Sequence, residues 1–110
     1  MVCLLTWNIN SVRLRLPLLA EIAGKHMPDV ICLQETKTTD EHFPADALRD
    51  MGYPHQFFAG MKGYNGVAIL SRMALSNCRE KLSSIYSSLV SYYTLLKKTS
   101  GLKWVTLKQL

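Results

Sequence analysis

Two short apolar runs, Val2-Cys3-Leu4-Leu5 and Val30-Ile31-Cys32-Leu33, bracket a segment with apolar residues at helical spacing, and this pattern constrains the chain more than any other. Continuous apolar runs of about four to eight residues read as buried strands. Between them Leu14, Leu18, Leu19, Ile22 and Ala23 predict an amphipathic helix from Arg13, with Pro17 near its start and Gly24 near its stop. A strand, a crossover helix and a second strand imply parallel pairing in an α/β sheet. The first run leads into Thr6-Trp7-Asn8-Ile9-Asn10 and the second into Gln34-Glu35-Thr36-Lys37. Neighbouring parallel strand ends would then carry an amide and an acid to one rim of the sheet, within reach of a metal ion or phosphate.

Further along, Pro44 to Met51 reads as a short helix, and Gly52-Tyr53-Pro54 ends it. His55 to Ala59 and Val67 to Ser71 read as strands around a Gly-rich turn, Gly60 to Gly66. The chain has 110 residues, the size of one ordinary domain, and its 48% hydrophobic and 19% charged content fits a globular, cytosolic protein. No apolar stretch approaches the roughly 18 residues of a membrane span, and no signal-peptide pattern is present. Cys3, Cys32 and Cys78 are too widely spaced for a zinc site or disulfide framework, and Cys3 and Cys32 read as buried thiols. Trp7 and Tyr53 read as core. His26, His42 and His55 lack metal-ligand spacing.

The net charge of +5 suggests a nucleic-acid partner until its location is considered. Residues 1 to 75 hold seven basic and seven acidic side chains, so the whole excess lies beyond Leu75. Composition also shifts there: seven of nine serines follow Leu75, whereas all four prolines and every aspartate precede it. Residues 1–75 and 76–110 therefore read as two kinds of sequence. The second is a basic Ser/Tyr/Lys-rich tail, expected to be an out-of-frame reading if a one-base shift restores Asp- and Gly-rich sequence. Within it Ile85, Leu89, Tyr92, Tyr93 and Leu96 fit a helical face and a strand equally well.

Taken singly, Glu35 is a surface or capping acid, Asn8 and Asn10 are loop residues, and Arg13 and Lys37 are solvated charges. Three ordered strings change that weighting: Thr6-Trp7-Asn8-Ile9-Asn10, Pro28-Asp29-Val30-Ile31-Cys32-Leu33-Gln34-Glu35-Thr36-Lys37, and Gly63-Tyr64-Asn65-Gly66-Val67-Ala68-Ile69-Leu70-Ser71-Arg72. Over about residues 2 to 75 they resemble the exodeoxyribonuclease III family of apurinic/apyrimidinic endonucleases, in the endonuclease/exonuclease/phosphatase superfamily. The Gly-Tyr-Asn-Gly turn sets this branch apart from relatives that cleave phosphoinositides or sphingomyelin.

The resemblance implies the N-terminal half of a four-layer, DNase I-like α/β sandwich. It also implies a phosphodiesterase acting on duplex DNA at abasic sites and 3′ ends, dependent on Mg²⁺ with Mn²⁺ as the alternative. Glu35 and Asn8 are then the metal-site residues, and Arg13, Lys37, Tyr64 and Asn65 face DNA. Mg²⁺ suits such a site because it takes oxygen ligands, keeps several waters and needs only one or two carboxylates. The departures are equally specific. The family's catalytic Tyr, Asp-x-Asn pair and terminal Asp-His are missing, no Asp or His follows Leu75, and Ser11 stands where the family usually has Gly. The expectation is a catalytically incomplete chain with an uncovered strand edge and sheet face unless the tail covers them. The alternative is a non-catalytic fragment that binds nucleic acid weakly and salt-sensitively.

Overall fold

The computed structural model describes residues 2–60, 66–74 and 102–107. Tyr64, Asn65, Cys78 and the ambiguous stretch from Ile85 to Leu96 lie outside the described residues. The elements are β1 (Val2–Asn8), α1 (Leu16–His26), β2 (Val30–Gln34), a 3₁₀ turn (Asp40–His42), α2 (Ala45–Asp50), β3 (His55–Ala59), β4 (Val67–Ser71) and β5 (Leu102–Leu107). They form a mixed sheet of order β3-β4-β2-β1-β5. β1 runs parallel to both β2 and β5, and β4 pairs antiparallel with β2 and β3. The strand-helix-strand reading therefore stands, with Asn8 registered opposite Gln34.

Alternation along the strands divides the sheet into two faces. Leu5, Trp7, Ile31, Leu33, Ala68 and Leu70 join Leu19 and Ala23 of α1 and Leu48 of α2 in one buried cluster. Trp7 and Tyr53 belong to it, as expected of core aromatics. On the opposite face Thr6, Asn8, Cys32 and Gln34 are half-buried, while Leu4, Val30 and Ile69 are buried. The expected bare edge is not found at β1, because β5, from within the basic tail, lies along it in parallel register from Val2 to Trp7.

The helix begins later than the apolar spacing suggested. Leu14 is 71% exposed and sits in a turn in which Arg15 N–H donates to Ser11 O (3.2 Å), so α1 starts at Leu16 with Pro17 in its first turn. The pyrrolidine lacks an N–H but none is needed there. At the other end α1 runs past Gly24 and closes on Met27 (φ 48°), whose N–H donates to Ala23 O (2.8 Å). The stop is a left-handed cap on a methionine.

At the base of the sheet Asp29 fixes the register. Cys3 N–H donates to Asp29 Oδ2 and Asp29 N–H to Cys3 O (2.7 Å each), and Arg72 N–H donates to Asp29 O (3.0 Å). Nearby, the buried Tyr53 hydroxyl donates to Pro28 O (2.7 Å), and the Arg72 guanidinium lies 5.3 Å from the ring centroid. Burial raises the Tyr53 pKa and Arg72 partly opposes it.

Cys32, beside Ile69 across the β2–β4 pair, has its thiol pushed up by burial from 9.0 to about 11. A thiol whose pKa is raised on folding gives its full stability below the unfolded value and loses it as pH rises toward the folded value. Relative to Cys32→Ala, the wild-type chain should therefore lose about 1–3 kcal/mol of stability between pH 9 and pH 11, beyond any pH-independent offset from lost packing. Urea melts at stepped alkaline pH read this directly, and parallel profiles for the two chains would contradict it.

Candidate active site

Asn8 and Glu35 reach the same rim because β1 and β2 are parallel and end together. The ladder continues beyond the strands: Ile9 N–H donates to Gln34 O, Ser11 N–H to Glu35 O and Val12 N–H to Thr36 O, each at 3.0 Å. Ile9 and Val12 are fully buried, which anchors the first loop, and Thr36 and Thr38 do the same for the second. Asn8, Asn10, Glu35 and Lys37 between them are half-buried. The two loops are thus one hydrogen-bonded unit.

Their backbone is unusual. Asn10 (φ 50°), Ser11 (φ 89°), Glu35 (φ 51°) and Lys37 (φ 52°) all take left-handed conformations. Asn tolerates this region, but Ser, Glu and Lys enter it at a cost of about 1 kcal/mol or more. Ser11, where the resemblance implied Gly, keeps the turn and adds to it, since its Oγ accepts the Leu14 N–H (3.3 Å).

The donor set suits an oxygen-loving cation. Asn8 Oδ1 is buried with no hydrogen-bond partner among the described residues. Its register neighbour Gln34 is turned to other work, its Nε2 donating to Thr6 Oγ1 (3.1 Å) and Cys32 O (3.3 Å). A buried carbonyl oxygen left without a donor costs about 1–3 kcal/mol unless something electropositive meets it. It lies one residue in register from the Glu35 position. No group of three or more His, Cys, Asp or Glu side chains among the described residues could hold a metal. A divalent cation held at this rim would take oxygen from the Glu35 carboxylate and the Asn8 amide and fill its other positions with water and phosphate.

Arg13 is exposed on the loop after β1, and Lys37 is half-buried two residues past Glu35. Tyr64 and Asn65 lie outside the described residues, but both ends of their segment are placed. Gly66 O accepts the Thr36 N–H (3.1 Å), and Gly60 N–H donates to Asp40 Oδ1 (2.6 Å). Sequence reasoning missed Asp40, and it missed Arg15, whose Nε donates to Ile9 O (2.9 Å) and braces the residue after Asn8. Both act on backbone groups, and such bonds leave no pattern in sequence. No helix among the described residues is long and apolar enough to cross a membrane.

This arrangement matches known proteins. The Endonuclease/Exonuclease/phosphatase family matches residues 5–93, and the chain belongs to that family. Over 68 residues it is 46% identical to exodeoxyribonuclease III of Haemophilus influenzae, a stretch covering 62% of this chain and 25% of that protein. Among solved structures it is similar to the 3′ phosphatase NExo from Neisseria bound to a product DNA hairpin, with TM-score 0.61, 44% identity, and 66% of this chain and 28% of that one covered. An AP endonuclease from Archaeoglobus fulgidus gives TM-score 0.59, 42% identity, and coverage of 63% and 26%. The exodeoxyribonuclease III resemblance and the DNase I-like α/β class therefore stand. The chain spans about a quarter of the length of these relatives, and the family match, residues 5–93, runs past the residues 2 to 75 over which the resemblance was read.

Proposed function

We propose that this chain carries the metal-holding and DNA-facing N-terminal part of a DNA-repair phosphodiesterase of the exodeoxyribonuclease III and AP endonuclease kind, and that alone it binds without turning over. The observation that carries the reading is the buried, unpartnered Asn8 Oδ1 at the strand end beside Glu35, in a chain 46% identical to exodeoxyribonuclease III over the matched stretch.

Glu35 and Asn8 would hold Mg²⁺ or Mn²⁺, Glu35 with a charged oxygen and Asn8 with a neutral one. When bound, such a cation polarises a phosphoryl oxygen and helps activate water. Arg13 and Lys37 would pair with phosphates, and Tyr64 and Asn65 would meet the backbone of a duplex at an abasic site or 3′ end. These contacts position DNA without reading its sequence. The part beyond Leu75 supplies no His or Asp as a base for the attacking water, since the last His is His55 and the last Asp is Asp50.

Incision of an abasic duplex by the 110-residue chain should stay at the no-protein background with or without magnesium. Calorimetric titration should nonetheless show a weak Mg²⁺ site whose affinity falls at least about tenfold in Glu35→Gln, because changes even to groups that only orient a ligand commonly cost that much. Robust incision would refute the incompleteness, and undiminished affinity in the variant would refute the site. The second reading is favoured by the position of the charge, all of it beyond Leu75. It predicts steeply salt-dependent DNA binding that survives loss of Glu35 and Lys37.

A further inference from the structure

We propose that Arg15 is a positioning residue for the candidate metal site: the hydrogen bond from its Nε to Ile9 O holds the turn that follows Asn8, and so keeps the Asn8 carboxamide in place at the strand end. The inference rests on the cation-holding role given above to Asn8 and Glu35, and it names the group that would fix the first of them.

The turn needs holding. Directly after Asn8 and the fully buried Ile9 come Asn10 (φ 50°) and Ser11 (φ 89°), two left-handed residues in succession. Residues other than glycine persist in that region only where the surrounding structure determines them. On one side the bonds come from the second loop, with Ile9 N–H donating to Gln34 O and Ser11 N–H to Glu35 O (3.0 Å each). On the other they come from Arg15, whose Nε donates to Ile9 O (2.9 Å) and whose backbone N–H donates to Ser11 O (3.2 Å). The two acceptors flank Asn10.

Arg15 is itself held. It is the N-cap of α1, and its carbonyl accepts the N–H of Leu19, which is fully buried in the core (2.9 Å). The Nε bond thus ties the residue next to Asn8 to a helix packed against the sheet. Asn8 Oδ1 has no hydrogen-bond partner among the described residues, so its place follows from the backbone around it. A guanidinium near a cation would, by charge alone, weaken the cation's binding. Charge and hydrogen bond therefore act in opposite directions.

Arg15→Gln and Arg15→Met separate them. Both remove the charge, but the glutamine Nε2 carries an N–H at the same distance along the side chain as the arginine Nε, whereas methionine has a methyl there. The first readout is hydrogen exchange in chelator, at the Ser11 and Val12 amides and at those of β2 as the reference. Arg15→Met should speed exchange at Ser11 and Val12 about three- to tenfold, the range of one net hydrogen bond, with β2 unchanged, and Arg15→Gln should stay near wild type. The second readout is calorimetric titration of the full chain with Mg²⁺ alone. Arg15→Met should weaken binding about threefold or more, and Arg15→Gln should match or exceed the wild type.

Unchanged exchange at Ser11 and Val12 in Arg15→Met, or an equal rise at β2, overturns the local brace. Faster exchange with undiminished Mg²⁺ affinity overturns the positioning role, and so does an Arg15→Gln chain that binds as weakly as Arg15→Met. Glu35→Gln then says which idea failed: if it weakens Mg²⁺ binding, the metal site survives and Arg15 does not serve it, and if it does not, the metal site itself falls.

Discussion

Gly66→Ala should destabilise the chain by about 3 kcal/mol, a large part of the roughly 5–10 kcal/mol that holds a domain of this size together. Two physical effects add at this position. Its φ of +118° is a conformation that L side chains rarely adopt, and the new methyl would overlap the buried Thr36 Oγ1. Gly52 provides the control, because its φ is +104° but nothing lies within 4 Å of where its Cβ would stand. Gly52→Ala should therefore cost about 1 kcal/mol, from backbone strain alone. The difference between the two is the steric part, and Thr36→Ala in the Gly66→Ala background should recover much of it. Equal urea midpoints for the two alanine variants would show that Gly66 is required only for its φ.

That glycine illustrates what the sequence disclosed and what it withheld. The Gly-Tyr-Asn-Gly string identified the family, yet nothing in it says that Gly66 fits against a threonine thirty residues earlier. Strands β1, β2 and β4 were legible because continuous apolar runs bounded by polar or glycine residues have few other ways to bury themselves. The start of α1 was misplaced because Leu14 matches the helical period, whereas Ser11 Oγ and the Arg15 amide make a turn of that stretch. β5 was out of reach for a different reason. Its Ser-, Tyr- and Lys-rich surroundings carry no clear period, and its partner β1 lies about a hundred residues away in the chain. Asn8 and Glu35 were singled out from their strand-end positions, while Asp40 and Arg15 bind main-chain groups that every residue possesses.

Asn8→Ala should separate binding from stability. Without divalent metal the variant should be as stable as the wild type or more so by about 1 kcal/mol, because it deletes a buried acceptor that has no partner among the described residues. With magnesium at ten times its dissociation constant, the wild-type chain should gain about 1.4 kcal/mol by mass action, and the variant should gain almost nothing. Thermal midpoints in chelator and in magnesium measure both quantities on one sample. A variant less stable by the same amount in both conditions would mean that the carboxamide only braces the strand end. The deciding quantity is the magnesium-dependent difference between the two chains, since a merely structural asparagine would contribute equally in both conditions.

The separation of the two sheet faces has a consequence for how such a chain can change. Asn8 alternates with Trp7, so the residue proposed to offer oxygen to a cation lies on the face opposite the layer where α1 and α2 pack. Neighbours such as Thr6, Cys32 and Gln34 can therefore be exchanged to retune ligand chemistry while the helix-covered layer keeps its shape, so selectivity and foldability can evolve as nearly independent traits.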